Sequence, residues 1–326
     1  MLHAKISGIA SYLPDDLLTN DDLSKMVDTN DEWITTRVGI KTRHILKDKS
    51  LGSSYMGTKA VSQLISETGV NPEEIDLLIC TTCNADYRFP ATATIIAHNC
   101  GLKSCYAYDV NGACTGFLVA MQEANAYITS GIYKKIIVVS AEKMSSVTDY
   151  TDRSTCPLFG DAAGAVLVEP TEENVGVMGA EFHVNGVGLP NLICKAGGSA
   201  RPTTQETLDA REHFLYQEGR QVYRYAVTGM YRATASMMEK YGLKAEEVKL
   251  VPHQANLRII EAVGDRLKIP AENVLVNIQH VGNSSSATIP VCLNEFKGQL
   301  KKGDKMLLTA FGAGFIWGAM YLVWGI

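Results

Sequence analysis

The chain lacks a surplus of positive charge, a framework of paired cysteines and an export signal, and each absence narrows what it can be. Its 30 lysines and arginines are outnumbered by 35 aspartates and glutamates, a formal charge of −5. Phosphate backbones are bound by clustered cations, so nucleic acid is not an expected partner. The eight cysteines stand at 80, 83, 100, 105, 114, 156, 194 and 292, mostly in apolar segments. That is the usage of a reduced, cytoplasmic protein and not of a disulfide scaffold. Cys80 and Cys83 have the spacing of a redox or zinc motif, but no second pair accompanies them and they overlap an apolar run. Core packing is expected there, and no metal site. Met1–Pro14 has no basic segment, no continuous apolar stretch and no small-residue cleavage site. With 46% hydrophobic and 20% charged residues, 326 residues can bury a large core, in two domains or one large double one.

One stretch, Met306–Ile326, carries no charge and is long enough to cross a bilayer. Glycines at 312, 314, 318 and 325 interrupt it, and β-branched and aromatic residues fill the rest. Two adjacent buried strands are expected there, and no membrane span. Internal repetition points the same way. Pro72–Leu78 follows a helical run Tyr55–Thr68, and its echo Ala245–Val251 follows a helical run Thr228–Tyr241, with Gly69 and Gly242 placed as C-caps. Lys134–Ser140 is echoed by Lys301–Leu308, and Phe159–Val168 by Phe311–Gly318.

Each half therefore reads helix, buried strand, helix, strand, long helix, strand, strand. Runs such as Leu77–Thr82 and Ile136–Ser140 show little alternation, as expected of strands covered by helices on both faces. An α/β fold of two duplicated halves follows, residues 1–170 and 171–326, with helices buried between two sheets. In this alignment Cys114 matches Asn283 and Ser284, and Cys80–Thr82 matches Val251–His253. Ligand sites favour strand ends and the junction between units, so Cys114, His253 and Asn283 can meet at one centre.

Cys114 follows a strand expected at Cys105–Val110, in Asp109-Val110-Asn111-Gly112-Ala113-Cys114-Thr115-Gly116-Phe117, just before a long apolar helix, Phe117–Thr129. A helix N-terminus offers free N–H groups and partial positive charge, which lower a thiol's pKa and bind an oxyanion. Taken alone, the position suits an inert packed cysteine equally well.

Five motifs then coincide in order: Trp33-Ile34-Thr35-Thr36-Arg37-Val38-Gly39-Ile40, Ala113–Phe117, Asp152-Arg153-Ser154-Thr155, Pro252-His253-Gln254-Ala255-Asn256-Leu257-Arg258-Ile259 and Gly282-Asn283-Ser284-Ser285. With them, the chain resembles the β-ketoacyl-acyl-carrier-protein (ACP) synthase III family, initiating condensing enzymes of type II fatty acid synthesis. The resemblance runs from Ile6–Pro14 to Phe311–Gly318. It implies the thiolase fold, two βαβαβ-type halves stacked as a five-layered αβαβα sandwich. It implies an acyltransferase that takes an acyl group from acyl-CoA onto Cys114 and condenses it with malonyl-ACP, releasing carbon dioxide. No metal or cofactor is implied, since CoA thioester and carrier phosphopantetheine are substrates. His253 and Asn283 are implied as neutral donors to the thioester oxygen that gains charge. A carboxylate beside that enolate would raise the barrier, and none belongs to the triad.

The resemblance also implies an oxyanion hole from the backbone N–H groups of Cys114 and Ala313. Trp33, Arg37, Arg153, Gly219, Tyr223 and Asn256 are implied for CoA, and Trp33 and Arg37 stand one helical turn apart. Gln254, Ala255, Asn256, Leu257, Arg258 and Arg224 are implied for the carrier protein, and Phe89 for a partner's acyl pocket across a homodimer. The chain departs from the family at Ala313, Val281, Ser285 and Ser286, changes expected in the lining of the site, affecting acyl choice and rate. Gly186–Gly219 is either a lid over the acyl tunnel or an ordinary surface excursion. Three readings compete: a priming enzyme, a relative acylating another acceptor in secondary metabolism, and a non-catalytic partner subunit. The presence of Cys114, His253 and Asn283 argues against the third, and Trp33, Arg37 and Arg258 favour the first.

Overall fold

The apolar runs Leu77–Thr81 and Ile136–Lys143 pair as adjacent parallel strands in which every residue is buried. A computed structural model describes residues 2–326. The first sheet contains β1 (His3–Tyr12), β2 (Leu77–Thr81), β3 (Tyr106–Val110), β4 (Ile136–Lys143) and β5 (Asp161–Thr171), in the order β1-β5-β4-β2-β3. The second contains β6 (Gly176–Val184), β7 (Val248–Pro252), β8 (Lys305–Gly312) and β9 (Ile316–Val323), in the order β7-β8-β9-β6. The two orders are the same list read from opposite ends. The counterpart of the edge strand β3 is reduced to one parallel bridge, Leu250 to Val274. The uncharged tail forms the antiparallel pair β8 and β9, as its glycines and β-branched residues predict. Among the described residues, no helix is long and apolar enough to cross a membrane.

The helices that frame the site are α1 (Asp31–Val38), α2 (Ser53–Thr68), α3 (Thr92–Asn99), α4 (Gly116–Thr129), α5 (Gly219–Tyr241), α6 (Leu257–Leu267) and α7 (Thr288–Phe296). Helices α2 and α3 cover the outer side of the first sheet, and α5 and α6 that of the second. Between the sheets lie α4 and α7, which gives the five layers of the thiolase fold. A middle layer meets no water, so α4 buries Phe117, Leu118, Ala120, Met121, Ala124 and Ile128. Full burial of a side chain such as Phe117 contributes about 3 kcal/mol. The C-caps Gly69 and Gly242 have φ of 69° and 60°, as expected of helix-ending glycines.

The Gly186–Gly219 excursion has structure of its own. A 3-10 turn (Gly186–Asn191) leads to the short antiparallel pair Leu192–Ile193 and Tyr216–Gln217, with a five-residue helix, Gln205–Asp209, between them. Leu215 N–H bonds Val147 O at 2.8 Å, and Arg211 pairs with Asp149, which ties the excursion to the N-terminal half.

Candidate active site

Strands β2 and β3 run in register to Thr81 and Val110, and the chain then turns through Asn111 and Gly112. Ala113 has φ 45°, a left-handed conformation that costs a residue with a Cβ about 1–2 kcal/mol. One 3-10 turn, Ala113–Thr115, carries Cys114 to the start of α4 and into a cavity of about 1040 Å3. His253 follows β7 directly, and its N–H extends the ladder to Thr309 O at 2.8 Å. Asn283 sits where its backbone bonds Leu158 O (2.9 Å) and Gly160 N (3.1 Å), fastening the C-terminal half to the first sheet. Cys114, His253 and Asn283 line the same cavity.

Each of the two donors has its second polar atom occupied by the turn that follows Asn283. The Ser285 N–H donates to Asn283 Oδ1 at 2.9 Å, which leaves the amide NH2 for a ligand. His253 Nδ1 lies 2.7 Å from Thr288 Oγ1, which leaves Nε2 as its free ring nitrogen. Burial lowers the His253 pKa to about 3, so the ring is neutral at neutral pH. Cys114 departs from expectation. Burial pushes its thiol up to about 12, although the Ser285 hydroxyl, 3.6 Å away, opposes the shift. Desolvation is the largest cause, and the nearby Glu142 charge adds to it.

Two residues at the centre were not anticipated. Cys83 lies beyond β2 and faces the cavity, so only Cys80 of that pair is core. Glu142, near the end of β4, is fully buried. It accepts from Ser286 Oγ at 2.6 Å, Thr82 Oγ1 at 3.2 Å, Cys83 N at 3.1 Å and Cys83 Sγ at 3.4 Å. Burial raises its carboxyl above the usual range. Ser286 is therefore spent on Glu142 and is not among the cavity-lining residues, whereas Ser285 is. An acidic residue two positions beyond the buried run Ile136–Ser140 was the available signal.

Gly312 approaches Cys114 so closely that a Cβ there would lie 2.8 Å from Cys114 N, and Ala313 beside it lines the cavity. At the mouth, Arg37 and Arg153 each place a guanidinium 5.7 Å from the Trp33 ring. Arg37, Gly219, Tyr223, Ala255, Asn256 and Arg258 line the cavity, with Arg220, which the sequence did not single out. Leu257 packs on Gly39 at the end of α1, and exposed Arg224 stacks on Tyr225 outside the cavity. Gln254 corrects its expected role: it is fully buried, donating to Pro252 O and Leu275 O and accepting from Asn277 N, so it cannot meet a carrier protein. Phe89 is 85% exposed and lies outside the cavity. Leu192, Ile193, Cys194, Leu215 and Gln217 bring the 186–219 excursion over the cavity.

A thiol, a neutral histidine and an asparagine amide lining one cavity of a five-layered α/β fold suit a condensing enzyme of the thiolase fold. The family model described as 3-Oxoacyl-[acyl-carrier-protein (ACP)] synthase III matches residues 108–186, and that for its C-terminal part matches residues 238–324. Beta-ketoacyl-[acyl-carrier-protein] synthase III 2 of Bacteroides thetaiotaomicron is 54% identical, over 99% of this chain and 97% of its own. The synthase III of Porphyromonas gingivalis is 53% identical over the same shares. The crystal structure of 3-oxoacyl-[acyl-carrier-protein] synthase III from Aquifex aeolicus superposes with a TM-score of 0.90 at 41% identity, covering 98% of this chain and 100% of that one. The chain belongs to the 3-oxoacyl-ACP synthase III family.

Proposed function

We propose that the protein condenses an acyl-CoA primer with malonyl-ACP to give 3-oxoacyl-ACP, CoA and carbon dioxide. Cys114 attacks the primer thioester and keeps the acyl group as CoA leaves. The N–H groups of Cys114 and Ala313 hold the oxyanion of that step. Malonyl-ACP then loses carbon dioxide, and its thioester oxygen gains charge as the enolate forms. With the Thr288 hydroxyl turned from Ser285 O to donate to Nδ1, the neutral His253 ring carries its proton on Nε2. Nε2–H and the Asn283 NH2 then donate to that oxygen, and the enolate carbon attacks the acyl carbonyl and releases Cys114. The observation that carries this reading is the pairing of Asn283 Oδ1 with Ser285 N–H, which fixes the amide with its donor toward the thiol's cavity.

Trp33, Arg37 and Arg153 form the platform for the CoA base, and Gly219, Tyr223 and Asn256 line the arm's path. Ala255, Leu257, Arg258 and Arg224 form the carrier-protein face, without Gln254. The 186–219 excursion is the lid, and the halves 1–170 and 171–326 supply the nucleophile and the donors respectively. The working form is a cytoplasmic homodimer. Edge strand β3 exposes Tyr106, and its Asp109 accepts from Thr92 and Ala93 N–H, placing exposed Phe89 beside the same edge. Incubation with a panel of acyl-CoA primers tests the reading by mass spectrometry. An acyl increment on the Cys114 peptide is expected, and its absence with every primer sinks the proposal.

A further inference from the structure

Acylation of Cys114 needs a place for the thiol proton, and His253, the imidazole in the same cavity, is a weak base there. His253 is neutral and burial keeps it so, with Nδ1 on Thr288 Oγ1. A different acceptor is wired to the sulfur. Cys114 Sγ lies 3.6 Å from Ser285 Oγ, and that hydroxyl lies 3.5 Å from Cys83 Sγ. Cys83 Sγ donates in turn to Glu142 Oε2 at 3.4 Å. Three short steps thus join the nucleophile to a buried carboxylate.

We propose that Glu142 is the proton acceptor for Cys114, reached through the Ser285 hydroxyl and the Cys83 thiol. The inference rests on the acyl-enzyme reading above. As Cys114 Sγ bonds the thioester carbon, its proton passes to Ser285 Oγ, the Ser285 proton to Cys83 Sγ, and the Cys83 proton to Glu142 Oε2. The carbon–sulfur bond to CoA breaks, and its electron pair leaves on the CoA sulfur. That sulfur has just shared a carbon with Cys114 Sγ, so it takes the proton back from Ser285 as the relay reverses. Atoms and charge balance without any further reactant.

Electrostatics favours this direction of transfer. The titratable groups that feel Glu142 are the thiols of Cys80, Cys83 and Cys114. Among the described residues no cation pairs with it: the neighbouring Lys143 ammonium donates to Asp48 O and Leu51 O. Across β5, Asp161 is turned to Ser145 and to Leu46 N–H. A thiolate beside a charged Glu142 would be two like charges in close proximity. A thiolate beside a protonated Glu142 is one. Burial also raises the Glu142 carboxyl, which makes it a better proton acceptor than an exposed carboxylate. Cys83 acts through Ser285 and is a positioning and relay residue.

The test is the pH dependence of single-turnover acylation by a primer that acylates the native protein. Native acylation is expected to rise with pH and then level off once Glu142 is ionised. Glu142→Gln should lose that plateau, run about 100-fold slower at pH 7, and climb roughly tenfold per pH unit as hydroxide takes over. Cys83→Ala, which leaves Glu142 in place and removes one cavity-facing sulfur, should lose the plateau too. Cys83→Ser, with a hydroxyl to carry the proton, should keep it. A plateau retained in Glu142→Gln or in Cys83→Ala overturns the proposal. Failure of the native protein to acylate at all would instead overturn the reading on which it rests.

Discussion

Replacing Asn283 by alanine should separate the two half-reactions. The side chain is 6% exposed and its Oδ1 accepts from Ser285 N–H at 2.9 Å, so its NH2 is the group that faces substrate. Both of its backbone bonds, to Leu158 O and from Gly160 N, survive in alanine. The loop should therefore stay in place, and the unpaired Ser285 N–H should cost about 1–3 kcal/mol of stability. Loss of one preorganised donor to a charge-bearing oxygen costs about 2.7–4 kcal/mol, or roughly 100- to 1000-fold in rate. That penalty falls on the enolate step alone, because acylation draws on backbone donors. Acyl transfer to Cys114, followed by mass spectrometry in single turnover, should stay within about threefold of the native rate. Release of carbon dioxide from malonyl-ACP and formation of 3-oxoacyl-ACP should both drop by the full factor. Equal losses in acylation and condensation would show that Asn283 holds the nucleophile's loop and does not serve the enolate. Unchanged condensation would refute its role outright.

Gly312→Ala should cripple acylation by about 100-fold, because its Cβ would sit 2.8 Å from Cys114 N and displace the nucleophile; native rates in that variant would mean the backbone gives way there. Trp33→Ala should raise the KM for acyl-CoA by about 3- to 30-fold through loss of stacking and cation–π contact with Arg37 and Arg153. The same variant should acylate normally from a short thioester lacking the nucleotide, and equal loss with both donors would place Trp33 elsewhere in the reaction. For His253, the folded pKa of about 3 lies below the ordinary 6.5, so between those values the unfolded chain binds a proton that the folded chain does not. Stability should therefore fall with pH below 6.5, by up to about 1.4 kcal/mol per unit more than in His253→Gln. Urea unfolding of both proteins at several pH values measures the difference, and a pH-independent difference would argue against a buried neutral ring.

Much of this molecule can be read along one dimension. Unalternating apolar runs such as Leu77–Thr82 and Ile136–Ser140 must be covered on both faces, and the repeated helix-strand units must stack on one another. Repetition also told the tail apart from a membrane span, and the ordered motifs located Cys114, His253 and Asn283. The layers are local features for which spacing and residue type suffice, whereas Cys114, His253 and Asn283 were singled out by the resemblance of their motifs to a known family. Other features depend on neighbours far away in the chain. Gln254 sits in a motif with exposed Arg258, yet the fold buries it against Leu275 and Asn277. Cys83 looked like strand core, but its strand ends at Thr81 and the sulfur turns into the cavity. Helix α4 promised Cys114 a lowered pKa, and burial between the halves raised it. Glu142 reaches Ser286 across 144 positions of sequence, a contact that no window of residues contains. The sequence alone determined the layered α/β fold and marked Cys114, His253 and Asn283 as candidates that could meet at one centre. Tertiary structure decided how dry the centre is and where its protons can go, because desolvation and hydrogen-bond partners arise only when distant segments close over the same space.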